Sequence, residues 1–290
     1  MVRPATFARL RWYPQDPEEC RASIERLLDR ALSLVPTSSP LTPKAGIVPH
    51  AGWMYSGLTM AAVYHALARS NRPDTLFLLG STHVPGVSIP TLWDESAWES
   101  PLGSVEIDPD WTGLLRESEL DFDINTEAHI QEHSIEIQIP FVRHFFPNTR
   151  IVPIMVPPTS AAKELGKFLA ARFKTHTHPP LVVATTDLTH YGENYNFISH
   201  GRGRQAHDWV RKINDPRMLQ ILTRLQCESI LDEARSSRNA CSPGPLLGVT
   251  SFVRDLGCTQ GTVLHYTTSA EVTGDIDPNN FVGYAGVIFG

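Results

Sequence analysis

Three short apolar runs end in polar turns that carry histidine. Pro49-His50-Ala51-Gly52-Trp53-Met54-Tyr55-Ser56-Gly57 follows Ala45 to Val48, and Ser81-Thr82-His83-Val84-Pro85-Gly86 follows Thr75 to Gly80. Thr185-Thr186-Asp187-Leu188-Thr189-His190-Tyr191-Gly192 closes the run that starts at Leu181. A lone histidine after a strand is ordinarily a hydrogen-bonded loop residue. Three such turns in one chain carry more weight, because ligands of open α/β sheets bind beyond the carboxyl ends of the strands. His50, His83, Asp187 and His190 are therefore expected to converge on one crevice. Asp187 is placed to hold the His190 imidazole in one tautomer, which suits a proton-moving pair. The fourth element is Asn239-Ala240-Cys241-Ser242-Pro243-Gly244-Pro245, just ahead of a helical run. A cysteine there faces the positive end of the helix dipole, where a thiolate, the metal-binding form, is stabilised. Pro243 and Pro245 have no N–H, so Gly244 and the helix behind it are expected to supply the amides that face the sulfur. Taken alone, Cys241 reads first as a small buried hydrophobe.

Other patterns are sharper on paper than in physics. His129-Ile130-Gln131-Glu132-His133 matches H-x-x-E-H, the inverted zinc-protease motif. On a helix, His129 and His133 would stand one turn apart with Glu132 as base, which makes a zinc hydrolase an alternative reading. A five-residue pattern also arises by chance. His133 is equally a candidate to line the crevice, and Glu132 to fix an imidazole by a hydrogen bond. Trp53 and Tyr55 either stack on a flat substrate or pack over a strand end. Tyr191 joins them as a candidate pocket residue. His176-Thr177-His178-Pro179-Pro180 is most simply a surface loop.

The elements that must position these groups follow from periodicity. Asp16 can cap a helix with Pro17 in its first turn and Glu19 in the capping-box position, and Ile24, Leu27, Leu28, Ala31 and Leu32 recur at helical spacing. Buried strands are expected at Ala45 to Val48, Thr75 to Gly80, Ile151 to Val156 and Leu181 to Thr186, with late strands at Thr262 to Thr268 and Val282 to Phe289. Helices are expected at Leu58 to Ala68, around Ile135 to Phe146, at Ala161 to Phe173, Ala206 to Asn214, Ser229 to Ala234 and Leu246 to Leu256. Asp215-Pro216 reads as the cap and first position of a separate helix running to Leu225. Alternating strands and helices, with strands that are continuous apolar runs, mean a central sheet covered on both faces: an α/β protein, with residues 1–290 as one domain. The proline-rich stretch Pro36 to Pro43 is short enough to be an ordinary loop.

Bulk properties narrow the class. The 290 residues are 41% hydrophobic, enough for a sizeable core. The formal charge of -6 and scattered Lys and Arg argue against nucleic acid as a partner. No run approaches the ~20 apolar residues of a transmembrane helix, and the segment from Met1 to Tyr13 lacks a secretory signal's apolar stretch. Cys20, Cys227, Cys241 and Cys258 lie far apart, so reduced thiols in a cytoplasm are expected rather than a disulfide frame.

The motifs together bring a resemblance. PHAGWMYSG (Pro49 to Gly57), STHVPG (Ser81 to Gly86), EHSIEIQIPF (Glu132 to Phe141), TTDLTHYG (Thr185 to Gly192) and the Cys241 loop followed by Gly248-Val249 look like the ordered motifs of the Memo family. Its prokaryotic members are often called AmmeMemoRadiSam system protein B. Trp12-Tyr13-Pro14 and Gly283-Tyr284-Ala285-Gly286 also fit, so the similarity spans nearly the whole chain. The resemblance implies a mixed sheet flanked by helices, related to class III extradiol dioxygenases. It implies metal ligands at His50, His83 and Cys241, with Asp187 and His190 beside them. Those dioxygenases hold Fe(II) with two histidines and a carboxylate. Cysteine in the carboxylate's place is softer, suiting Cu(I), Zn or Fe better than Mg or Ca. The expectations are thus a mononuclear transition metal, Fe(II) if the protein is catalytic, and oxygenation or redox work on a small, aromatic substrate. A metal-binding or scaffold protein without turnover is the alternative. The resemblance also implies a radical-SAM system partner. One departure is a single histidine in Ser81-Thr82-His83 where some relatives have two; another is Ser242-Pro243-Gly244 after the cysteine.

Overall fold

The computed structural model describes residues 1–35 and 42–290. Most of the expected Pro36 to Pro43 loop lies outside the described residues. At the centre Ala45–Val48, Leu181–Thr185, Thr75–Gly80 and Arg150–Met155 lie side by side in that order, all parallel. They are mainly apolar and, apart from Arg150, buried, because both faces are covered. Side chains alternate between the faces, so Leu76 and Leu78 join one core while Phe77 and Leu79 join the other. The helix Trp53–Ser70 packs on the first face through Met60, Val63 and Tyr64. The helices Ala161–Thr175 and Pro243–Asp255 cover the second through Leu165, Leu169, Val249 and Phe252. Each fully buried Leu or Phe contributes roughly 1.5–3 kcal/mol.

Antiparallel strands complete the sheet. Asn280–Phe289 pairs with Ala45–Val48 on one side and carries both Gly261–Thr268 and His190–Gly192. At the other edge Thr91–Leu92 runs antiparallel to Arg150–Met155 and parallel to Asp123–Ile124. The result, among the described residues, is a nine-stranded mixed sheet flanked by helices, the α/β architecture expected. Because the central strands are parallel, the chain leaves Val48, Gly80 and Thr185 on the same edge, and the turns bearing His50, His83 and Asp187 begin there. A separate small sheet, Val2–Arg3 with Ala97–Trp98 and Val105–Glu106, was not foreseen, since two-residue strands show no period. No helix of the described residues is long and apolar enough to cross a membrane.

Two boundaries differ from expectation for physical reasons. The helix expected from Leu58 starts at Trp53, with Gly52 as its cap and the Ser56 hydroxyl donating to the Ala51 carbonyl at 2.6 Å. Gly57, read as turn punctuation, sits inside this helix because Leu27 of the helix Pro17–Ala31 packs against it. A β-carbon there would come within 2.8 Å of Leu27 Cδ1. Asp215 does not cap a new helix. Helix Gly203–Trp209 passes through a π-helical turn, Val210–Asn214, straight into Asp215–Thr223. The wider turn takes up Pro216, whose missing N–H would break a regular helix. It leaves the Asp215 carboxylate pointing inward, where it accepts from the Thr189 amide at 3.0 Å, the Thr189 hydroxyl and the Tyr266 hydroxyl at 2.8 Å. The Asp16 cap formed as read, accepting from the Glu19 amide at 2.9 Å.

Candidate metal centre

His50 is buried at the end of its strand. Its Nδ1 lies 3.0 Å from the Thr185 hydroxyl on the neighbouring strand, and its backbone N–H donates to Asp187 at 2.8 Å. Nδ1 is thereby engaged and Nε2 faces the cleft. His83 follows the adjacent strand and is held by Glu132. One carboxylate oxygen accepts from its backbone N–H at 2.7 Å, and the other lies 2.9 Å from its Nδ1. Glu132 also sits 3.5 Å from Nδ1 of His133. The His83 and His133 rings stack with centres 4.6 Å apart, and both stand edge-on to His50. Among the described residues His50, His83 and His133 form a group able to hold a metal ion, one ligand atom from each within 4.8 Å of the others.

Cys241 abuts this group. Its sulfur is 3.2 Å from His50 Nε2 and 3.3 Å from the Ser242 hydroxyl. The amide that donates to it, at 3.2 Å, belongs to Asp187, not to the helix that follows. Gly244 is instead packed on the Val156 and Pro157 carbonyls, so closely that a β-carbon would lie 2.2 Å from the first. That corrects the expectation that Gly244 and the helix start face the sulfur. The Ser242 hydroxyl donates to Ser81 at 2.7 Å, which ties the cysteine loop to the His83 turn.

Burial, then repulsion from His133 and His83, drives the His50 pKa well below the ordinary histidine value, so its lone pair is available. Burial likewise lowers His133, to about 4, against the pull of Glu132. Burial opposes charge on His83 too, but its hydrogen bonds to Cys241 and Glu132 outweigh it and push His83 up to about 10. Glu132 is the counterpart: burial disfavours its charge, yet His83, His133 and the Ser134 amide hold it below the usual carboxylate range. The geometry therefore favours one positive charge among the imidazoles, whether proton or metal ion.

Asp187 and His190 face the same cleft as the three histidines. Burial raises the Asp187 pKa, while His190 and the His50 and Ala51 amides pull it down. Asp187 does not fix the His190 tautomer as expected. His190 Nδ1 lies 3.2 Å from the Leu188 carbonyl, to which it donates, leaving Nε2 open. Tyr191 turns the other way: its hydroxyl donates to Gly201 at 2.9 Å and its ring stacks on Phe281. Tyr195 takes the place at the cleft foreseen for Tyr191, its ring edge-on to His190 at 5.0 Å. Trp53 is buried, stacked on Tyr13, and its indole donates to Ile137 at 3.0 Å; Tyr55 lines the cleft. Trp12, named in the sequence only as part of the family resemblance and given no site role there, lies with its ring 4.5 Å from His133.

The H-x-x-E-H reading fails on geometry. Its helix, Thr126–Gln131, ends before Glu132, whose backbone is extended, so His129 and His133 do not share a helical face. His129 is fully buried against Trp93 and Trp98, its Nε2 3.0 Å from the Thr91 carbonyl, and burial lowers its pKa to about 3.

Comparison with known proteins decides the relationship. The family model described as Memo-like protein matches residues 3–288. The chain belongs to the Memo-like family. A MEMO1 family protein of Methanothermobacter thermautotrophicus is 33% identical over 289 residues, covering 98% of both chains. Another, from Methanopyrus kandleri, is 33% identical over 288 residues, covering 96% of this chain and 95% of its own. The crystal structure of an uncharacterized protein from Escherichia coli K12 aligns with TM-score 0.52 at 15% identity, over 86% of this chain and 100% of that one. That likeness bears on the fold alone. In this Memo-like chain the expected turns and the cysteine loop meet at one sheet edge, with His133 added to them.

Proposed function

We propose that this Memo-like chain binds a single transition metal and performs redox or oxygenation chemistry on a small aromatic substrate. The observation that carries the reading is the set of three imidazoles, ligand atoms within 4.8 Å, facing a cleft that a fourth histidine shares. The donors fit such an ion. Two of the imidazoles are neutral by virtue of burial, and Thr185 and Glu132 secure the Nδ1 atoms of His50 and His83. His50, His83 and His133 would hold the metal from the geometry; His50, His83 and Cys241 would hold it from the family pattern. Imidazole suits Fe, Cu and Zn, and a thiolate would shift preference toward Cu(I) or Zn. When bound, the metal supplies open coordination positions and electron transfer.

The chain's own residues do the rest. His190, donating through Nδ1 to Leu188, keeps Nε2 free to take a proton from a substrate hydroxyl. Asp187 holds the His50 backbone at 2.8 Å and so keeps that imidazole in place. Trp12, Tyr55 and Tyr195 wall the cleft with flat surfaces against which an aromatic ring packs and from which water is displaced. A cytoplasmic setting with reduced thiols belongs to the same proposal.

A second reading, metal binding without turnover, draws on Cys241 lying 3.2 Å from His50 Nε2, where a soft ligand would hold Cu(I) tightly. Elemental analysis of protein purified without a histidine tag, followed by oxygen uptake with a panel of catechols, separates the two. Bound metal with turnover supports the first reading; bound metal without turnover supports the second. A chain that takes up neither Fe(II), Cu(I) nor Zn on reconstitution overturns both.

A further inference from the structure

Two arginines in this chain adopt the left-handed backbone conformation directly after a helix, where glycine is the unstrained choice. Arg238, at φ 52°, follows Ile230–Ser237, and Arg11, at φ 62°, follows the short helix Thr6–Arg9 and its cap Leu10. The first is explained by the protein itself. The Arg238 guanidinium donates to the Tyr195 and Asn196 carbonyls, each at 2.8 Å, and lies 4.7 Å from the Phe197 ring centre. Arg11 has the same strained backbone, its N–H donating to Ala8 at 3.0 Å. Among the described residues, however, its side chain makes no hydrogen bond or ion pair. It lines the cleft of the metal centre, as do Arg9 and Arg30. Two acids, Asp16 and Glu19, line the same cleft beside them, the Asp16 carboxylate accepting from the Glu19 amide. The cleft encloses about 1290 Å³, which leaves room beyond a single ring at the histidines.

We propose that Arg11, with Arg9 and Arg30, recognises an anionic tail on the ligand, so that the cleft takes an aromatic molecule bearing a carboxylate or phosphate remote from its ring. This rests on the reading of the histidines as a metal centre that engages the ring. The planar guanidinium matches either anion through paired N–H donors, which a lysine ammonium does not. The left-handed backbone at Arg11 carries an energetic cost that no side-chain hydrogen bond or ion pair among the described residues offsets, and a ligand anion is the partner its guanidinium is placed to meet.

The test uses the full chain loaded with Zn under argon, metal content being measured first. Binding of catechol and of a catechol carrying a propanoate tail is followed by tryptophan fluorescence, with a phosphate-tailed analogue as a third arm. Wild type is expected to bind at least one tailed compound about tenfold more tightly than catechol. Whichever anion gains more is the preferred tail, and the preference should shrink at high salt. Arg11→Gly is expected to keep its metal and to melt at the same or a higher temperature, since the strain is relieved, while losing most of the preference. Arg11→Lys should fall between the two. Equal binding of tailed and untailed compounds by the wild type overturns the proposal, as does an Arg11→Gly variant that keeps the full preference. Failure to load Zn is a failure of the metal reading. In that case the same titrations on the metal-free chain, with phenylpropanoate against phenylpropanol, test the anion wall alone by the same criteria.

Discussion

Glu132 grips His83 at two points, accepting from its backbone N–H at 2.7 Å and from its Nδ1 at 2.9 Å. A carboxylate placed so sets both where the turn lies and which ring nitrogen looks into the cleft. Glu132→Gln keeps the size but can offer only one acceptor, and its NH₂ opposes an N–H donor. We expect Zn or Fe(II) affinity to fall about 10- to 100-fold with the fold retained. Equilibrium dialysis against a chelator, with circular dichroism as control, checks this; unchanged affinity would remove Glu132 from any role at the centre.

His133 and Cys241 compete for the third place beside His50 and His83, and they should fail differently. His133→Ala is expected to lower Fe(II) affinity about as much as His50→Ala does. Cys241→Asp is expected to cost Cu(I) and Zn more than Fe(II), because an oxygen ligand is harder than sulfur. Competition titrations with the three metals decide it. If the order of metals is the same before and after the cysteine change, Cys241 is a packed thiol.

His190 faces the same cleft but stands outside the three-histidine group. His190→Ala should keep wild-type metal content and lower any turnover by roughly 10²- to 10⁴-fold, the ordinary worth of a positioned acid or base. Metal loss equal to that of His50→Ala would make His190 a ligand instead.

Asp215 offers a pH test away from the metal. Burial raises its pKa to about 6, against hydrogen bonds from Thr189 and Tyr266 that pull it down. The folded chain therefore holds this proton more tightly than the unfolded chain does. The associated stability is full below the unfolded value of 3.8 and is lost as pH rises through about 6. The shift corresponds to about 3 kcal/mol at most. Asp215→Asn, which cannot ionise, should gain up to that much relative to wild type between roughly pH 4 and pH 8. Urea denaturation of both proteins at the two ends measures the difference; a gap independent of pH would sink the assignment.

What the sequence revealed follows the physics of each segment. Leu76 to Leu79 and Val182 to Ala184 are apolar on both faces, so the strands and the turns after them were readable locally, and parallel order then brought His50, His83 and Asp187 together. The place of His133 was not readable in that way. It lies in an irregular stretch before the 3₁₀ turn Glu136–Gln138, fixed by a buried ion pair between Arg3 and Glu136 that no local pattern announces. Tyr191 stands outside the cleft by a rule that the sequence itself contains. His190–Gly192 is a strand, and if His190 faces the cleft its neighbour faces away. Asp215 looked like a cap because a π-helical turn leaves no mark at the level of residue type.

The Arg3–Glu136 pair also has a bearing on how the cleft comes into being. Glu136 accepts from the Phe7 amide and the Tyr13 hydroxyl as well as from Arg3, and Arg3 in turn donates to the His129 and Glu132 carbonyls. The wall that carries Arg11 and Trp12 is thus moored to a partner 133 positions further along the chain. During synthesis that wall leaves the ribosome long before its mooring exists, and closing so long a loop is among the slower steps available to a folding chain. The sheet waits on chain at least as distant, since Ala45 pairs with both Val182 and Phe289, so the wall made early is settled only as the whole fold closes.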